Sequence, residues 1–549
     1  MITFGAVVRR GGGWLPLIAL GGLVGNLGML ALPEVLGHAV DALVAGRGSS
    51  MWLALAGGLI ALGIVFELSD AYTGAACVAG TTAWLRNRIV GHVLAVGPDG
   101  ARRFATGDLV TRVSNNAVDA AKAGPTVMTM ATAVLPPIGS LLLLAYIDIW
   151  LAVALLVGLV LVSVVIRAFA LRTAEVIRAY QRAQGRIAGR LTESLVGART
   201  IASAGTVELE ERRVLAGLPE LHEQGTRMWQ VLSRSSAQAT FVGPLVMVAV
   251  LVAGGIELAA GRISAGDLFA ASQYAVIGGG LGPLTSVFSR LARARAGVSR
   301  VTEVLAVEPV AYGDRHLPDG PGRLEFRGVG VRTDDSVLLS DVDLVVPGGA
   351  AVAVVGESGA GKSVLVGLAA RLREPDDGTI LLDGVPLAEL DHDTLRAAVG
   401  CAFERPVLIG HTVGDAIGLG LPAEQITSAA VATHAHEFVS RLPQGYDTPL
   451  TESPMSGGEL QRLGLARAWH AGRLLVLDDA TSSLDMVTEM QISRTLTNDH
   501  GHRTRLIVTH RAATAARADL VVWLAAGQVR AVDTHEALWA RPDYREVFG

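Results

Sequence analysis

The chain has 549 residues, half of them hydrophobic and only 18% charged, with a formal net charge of −5. That length calls for more than one domain, the apolar excess is too large for a wholly soluble protein, and the slight negative balance gives no reason to expect nucleic acid as a partner. The two cysteines, Cys77 and Cys401, stand far apart with no Cys or His at metal-ligand spacing, which argues against a disulfide framework or a zinc site.

Nearly all of the apolar excess lies before residue 300. Met1 to Trp14 carries Arg9 and Arg10 ahead of a long apolar run without a small-residue cleavage pattern, which predicts a retained membrane helix rather than a removed signal peptide. A bilayer crossing needs about 20 apolar residues. Six stretches qualify: Trp14 to Val40, Met51 to Ala76, Thr126 to Tyr146, Trp150 to Ala170, Phe241 to Ala260 and Leu268 to Phe288. The short connectors are poor in basic residues, whereas the two long ones carry Arg86, Arg88, Arg102, Arg103 and Arg112, and then the arginines from Arg172 to Arg213. The positive-inside bias places those long connectors and both termini in the cytoplasm. Ile187, Leu191, Leu195 and Ile201 keep helical spacing within the second, so the membrane helices are expected to continue well beyond the bilayer.

Carboxylates inside a span face a bundle interior as a rule. Glu67 and Asp70 sit one turn apart in the second span. They are candidates either for lining a cavity that favours a cationic or hydrogen-bonding substrate, or for polar contacts between helices. Pro309, Pro318 and Pro321 then mark a linker, giving a membrane domain at 1–300, a linker at 301–323 and a second domain at 324–549.

In the second domain the apolar run Ala351 to Val355 leads into Gly356-Glu357-Ser358-Gly359-Ala360-Gly361-Lys362-Ser363 and then an apolar-periodic helix. The pattern Gly-x4-Gly-Lys-Ser after a strand lets backbone N–H groups close round a triphosphate at a helix N-terminus. Lys362 can reach the outer phosphates and the Ser363 hydroxyl can ligate Mg²⁺. Further on, Leu474 to Asp478 is a buried strand ending in a carboxylate placed for Mg²⁺, and Ser456-Gly457-Gly458-Glu459 opens another helix. Ser482-Ser483-Leu484-Asp485 and a strand ending at His510 complete the set.

With these motifs in order, the second domain resembles the ATP-binding cassette of an ABC transporter, and the entire chain resembles an exporter-type half-transporter: an all-α polytopic membrane domain of six helices followed by an α/β P-loop ATPase. Thr106-Gly107-Asp108-Leu109-Val110-Thr111-Arg112 and Gly266-Asp267-Leu268 are also similar to exporter sequences. The resemblance implies ATP and Mg²⁺ as cofactors. It further implies that two cassettes close head to tail, so that Ser456, Gly457 and Gly458 meet ATP held by a partner chain. By the same resemblance Asp485 contacts nucleotide and His510 hydrogen-bonds the γ-phosphate.

The chain departs from the family where hydrolysis is organised. Asp479 follows Asp478 where the family places a catalytic Glu, shorter by one C–C bond, about 1.5 Å. Glu404 stands where a glutamine is usual, still a possible Mg²⁺ ligand, and Val331-Arg332-Thr333 replaces the adenine-stacking aromatic. The reading that reconciles matches and departures is a heterodimer, in which this chain's own phosphate loop serves a slow site while its signature completes the fast site on a second half-transporter. Two rivals are a non-catalytic ATP-binding regulatory half and an exporter-shaped siderophore importer. The substrate is open among peptides, drugs and lipid-like molecules, and leader-peptide cleavage is not expected. The expected location is a bacterial plasma membrane, multi-pass, with the cassette cytoplasmic.

Overall fold

The computed structural model describes residues 3–279, 282–333, 336–498 and 503–548. These fall into two compact units, Met1–His92 with Phe104–Val307, and Val93–Arg103 with Glu308–Gly549.

Among its described residues the first unit is helical throughout. Its principal elements are α1 (Trp14–Val44), α2 (Ser50–Ala101), α3 (Thr106–Ile147), α4 (Ile149–Val196), α5 (Leu218–Ala259), α6 (Ala265–Gly279) and α7 (Gly282–Leu305). Helices α1, α2 and α3 are long and apolar enough to cross a membrane, and they carry the first three expected spans. Shorter apolar segments, Ile149–Leu161 and Gly243–Ala259, begin the fourth expected span and carry the fifth. Several side chains of the fourth lie outside the described residues, as do positions 280 and 281 of the sixth. Helix α4 covers 48 residues, about 72 Å at 1.5 Å per residue, more than twice the hydrocarbon thickness, so it extends far beyond the bilayer.

The outer faces of these helices invert the usual soluble pattern. Leu20, Leu27, Leu68 and Leu142 are each more than half exposed. A surface that apolar is stable only against lipid. The small interior gathers Leu144, Leu151, Leu155, Val246, Val250 and Tyr274, and the Tyr274 hydroxyl donates to the Leu30 carbonyl at 2.9 Å. At one end α1 and α6 meet backbone to backbone: a methyl group on Gly266 would strike the Gly37 carbonyl oxygen. The Asp41 carboxylate seals this contact, accepting from the Gly266 N–H and the Ser264 hydroxyl, both at 2.7 Å. In the Thr106–Arg112 segment, Arg112 is buried and bonds to Asp108 at 2.7 Å and Glu303 at 2.9 Å. The Gly-Asp-Leu pattern and the Thr-Gly-Asp segment are therefore packing devices of the helical unit.

The second unit carries two sheets. β2 (Val337–Val346), β1 (Leu324–Arg332), β4 (Asp377–Leu382) and β5 (Val385–Pro386) form an antiparallel sheet in that order. The larger sheet runs β10 (Gln528–Asp533), β9 (Leu520–Ala525), β3 (Ala351–Val355), β8 (Thr504–Val508), β7 (Leu474–Asp478) and β6 (Val399–Phe403). All its neighbours pair parallel except the β10 edge. Strand β3 is buried along its whole length, as a central strand covered on both faces must be. The core joins the two sheets through Phe326, Leu339, Val352, Val354, Leu365, Val476 and Leu506. Because β3, β7 and β8 are parallel, their carboxyl ends share one edge, where ligands of open α/β sheets bind.

Candidate nucleotide site

The phosphate loop leaves that edge of β3 and enters α8 (Lys362–Ala369). Two glycines are dictated by space. A methyl group on Gly356 would collide with the Leu524 carbonyl, and one on Gly361, at φ 99°, would lie 2.7 Å from the Leu339 side chain. The loop is thus wedged against β9 on one side and β2 on the other, with its backbone curved round a hollow. Lys362 closes the curve, donating to the carbonyls of Gly356 at 2.8 Å and Glu357 at 2.9 Å. Burial pushes its ammonium below the usual lysine range, opposed by the nearby carboxylates of Asp479 and Asp478. An arriving phosphate would return the solvation that burial removed.

Next to the loop, the Ser363 hydroxyl donates to the Asp478 carboxylate at 3.1 Å. Burial raises the Asp478 carboxyl above the ordinary range, the Ser363 bond opposes this, and Asp479 and Glu404 add to the rise. A hydroxyl and a carboxylate converging in a carboxylate-rich, partly buried place are the hard oxygen donors that Mg²⁺ takes, one or two from protein and the rest from phosphates and water. Glu404 is half exposed, with its nearest cation, Arg405, at 3.9 Å.

Asp479 turns out of β7 with φ 47°, a left-handed conformation that is rare for a residue with a side chain. Its carboxylate lies 3.3 Å from His510 Nε2. Burial raises its carboxyl, against the pull of His510 and Lys362. Lys362, Ser363, Asp478, Asp479 and His510 therefore form one cluster. Beside it, Pro98 and Arg102 join Ser363, Arg373, Cys401 and Asp478 round a cavity of about 350 Å³. Burial pushes the Cys401 thiol up to about 12, which leaves it an inert packing group there.

The remaining sequence candidates stand apart from this cluster. Ser456 caps α9 (Gly457–Ala468): its hydroxyl accepts from the Glu459 N–H and donates to the Glu459 carboxylate, which also accepts from the Ser456 N–H. Ser456 and Gly457 are exposed, an open helix N-terminus of twelve residues. Asp485 caps α10 (Met486–Asn498), accepting from the N–H groups of Val487 and Thr488 at 3.0 Å, and those bonds hold its carboxyl below the usual range. In the helical unit Glu67 is exposed, and Asp70 packs toward Gly21 with one carboxylate oxygen buried and unbonded.

Two site residues escaped the sequence reading. Gln461, 2% exposed, donates to the Glu404 carbonyl and the Ser482 hydroxyl and accepts from the Ser483 N–H, pinning two active-edge loops to α9. Arg511 donates to the Ser482 carbonyl and pairs with the buried Glu489, fixing the segment after His510. Their positions within the signature helix and directly after His510 were the available signal.

The family model of the ABC transporter transmembrane region matches residues 15–279, and that of the ABC transporter matches 339–482. The chain is 44% identical to the ABC transporter ATP-binding protein RamA of Streptomyces coelicolor, over 97% of this chain and 85% of that protein. A fatty acid ABC transporter ATP-binding/permease protein of Mycobacterium tuberculosis is 32% identical over 81% of this chain and 71% of its own length. The fold is that of a bacterial Atm1-family ABC exporter solved with ATP bound, with a TM-score of 0.80 over 99% of this chain and 98% of that one, at 23% identity. The chain belongs to the ABC transporter family, as an ATP-driven exporter subunit whose membrane region and ATPase are fused in one polypeptide.

Proposed function

We propose that this chain is one half of a heterodimeric bacterial exporter and that its own phosphate loop serves the slower of two ATP sites. The observation that carries the reading is the pairing of Asp479 with His510 at 3.3 Å. Hydrolysis needs a carboxylate that reaches past the metal to orient water, and a misplacement of about 1 Å in a catalytic group costs on the order of 100-fold in rate. Asp479 is one methylene shorter than the Glu usual in the family, and in this arrangement it satisfies the histidine instead.

Binding is provided for. Lys362 would supply charge to the outer phosphates, the loop N–H groups and the α8 N-terminus would supply donors, and Ser363 with Asp478 would hold Mg²⁺. Mg²⁺ would neutralise charge on the phosphates, while Glu404 lends field rather than a fixed ligand. Ser456 and Gly457, exposed at the head of α9, and the half-buried Gly458 beside them suit a nucleotide presented by the partner chain. Alternating access then follows from ATP closing the two cassettes.

The test compares the purified chain alone with the chain plus the protein that co-purifies with it. The pair hydrolyses ATP and the single chain does not. In the pair, Asp479→Glu adds turnover at the second site, up to about a doubling of the total, while Asp479→Asn leaves it near wild type. Full-speed transport by a homodimer would overturn the reading. A regulatory half with no hydrolysis at all is the second reading, favoured by the same Asp479–His510 contact, and it requires Asp479→Glu to change nothing.

A further inference from the structure

We infer that the membrane unit of this exporter carries a binding site for an anionic amphiphile, and that such a molecule is what it moves; the inference rests on the transport reading above. A cavity of about 780 Å³ opens among α2, α3 and α7, wholly within the helical unit. That is the size of a small-ligand site. One wall, from α2, is small and apolar, with Ala75, Val78 and Ala79. Arg86, further along the same face of α2, joins Lys122 of α3 and Arg290 and Arg293 of α7 against a single carboxylate, Asp119.

The charges do not cancel. Asp119 is taken by Lys122 at 3.1 Å. Arg290 and Arg293, one turn apart on α7, have no hydrogen-bond or ion-pair partner among the described residues. Arg86 has no carboxylate either. It donates through Nε to the Val113 carbonyl at 3.1 Å and through a terminal nitrogen to the Ser114 carbonyl at 3.0 Å. Both carbonyls belong to a π-helical turn, Arg112–Asn116, of the kind that interrupts helices at functional places. The turn aims a guanidinium whose other N–H groups stay free for a fork-like anion contact.

A second observation points the same way. Thr82, on the same wall and only 8% exposed, has a buried hydroxyl with no hydrogen-bond partner. A buried donor left unsatisfied costs free energy until a ligand meets it. Three uncompensated guanidinium groups and a waiting hydroxyl at the end of an apolar trough fit a headgroup such as a phosphate or carboxylate, with its tail along Ala75, Val78 and Ala79. The sign is opposite to that expected from Glu67 and Asp70, neither of which lines this cavity.

The test uses the chain with its co-purifying partner in phosphatidylcholine nanodiscs. Dodecyl phosphate binds and dodecyltrimethylammonium does not, and the phosphate's affinity falls as salt rises. Arg290→Gln with Arg293→Gln weakens binding about tenfold or more, the equivalent of about one charge-assisted contact. The Lys/Lys pair of substitutions restores most of it, and Thr82→Val weakens it about threefold. Nucleotide binding at the cassette stays unchanged in every variant. Equal affinity for both detergents, or no effect of the Gln pair, overturns the inference. Displacement of dodecyl phosphate by added phosphatidylglycerol identifies the bilayer's own acidic lipid as the source of the anion. Indifference to it identifies a cargo taken from solution, and either supports the anion site. If dodecyl phosphate binds as described while the pair neither hydrolyses ATP nor transports, the exporter reading falls and the site stands.

Discussion

The carboxylates at the end of β7 hold the site's chemistry and its cost to the fold. Asp478 and Asp479 both have carboxyls raised by burial, so each ionises less readily in the folded chain than in the unfolded one. The stability this difference contributes is complete below the ordinary carboxylate pKa and is lost as pH rises through the raised one. Asp478→Asn, which cannot ionise, is therefore expected to raise the melting temperature of the nucleotide-free protein by a few degrees near neutrality. The gain should shrink toward pH 4, read by thermal unfolding across pH, and Mg²⁺-dependent nucleotide binding should be lost. Lys362→Ala removes the charge on the phosphates but also a buried ammonium. Fluorescent-nucleotide titration should show affinity down about 10- to 100-fold, the worth of one strong charged contact.

At the scale of elements, the site is a set of joints between strand ends and helix starts. Gly361 sits at φ 99° against Leu339, so Gly361→Ala meets both backbone strain and a side-chain clash. It should cut nucleotide binding and destabilise the cassette by about 1–3 kcal/mol. In the membrane unit, Gly266→Ala should separate α1 from α6 at the Gly37 contact and break the Asp41 seal. Overpacking of this kind costs about 1–3 kcal/mol, visible as a lower melting temperature in detergent with nucleotide binding intact. These joints were half legible. The phosphate loop, the β7 carboxylate and the signature helix announce themselves because fixed spacings within one element carry their chemistry. Gln461 and Arg511 do not, since their partners lie 21 to 57 residues away and only folding brings them close.

For the whole molecule, the exposed N-terminus of α9 and the retained phosphate loop imply an assembly larger than one chain. Native mass measurement of the protein expressed with its co-purifying partner should give a one-to-one complex in Mg-ATP. In that complex Ser456→Arg, which blocks the head of α9, should abolish turnover although this chain's own phosphate loop is untouched. The spans were readable from hydropathy because lipid imposes a length of about 20 apolar residues on any crossing helix. Which charges of the helical unit matter was not. Glu67 and Asp70 drew notice as rare carboxylates, whereas the cavity gathers Arg86, Lys122, Arg290 and Arg293 from segments some 200 residues apart.

Composition and local spacing by themselves determined a helical membrane region, a nucleotide-binding α/β domain and the phosphate-loop motif at its start. Those properties depend on length, periodicity and backbone geometry within single elements. The tertiary structure decided what depends on distance across the chain: that Asp479 turns toward His510, that Asp485 is spent as a helix cap, and that a cationic cavity lies beside a trough of small apolar residues. Contacts between distant segments follow from packing, and no periodicity in the sequence encodes them.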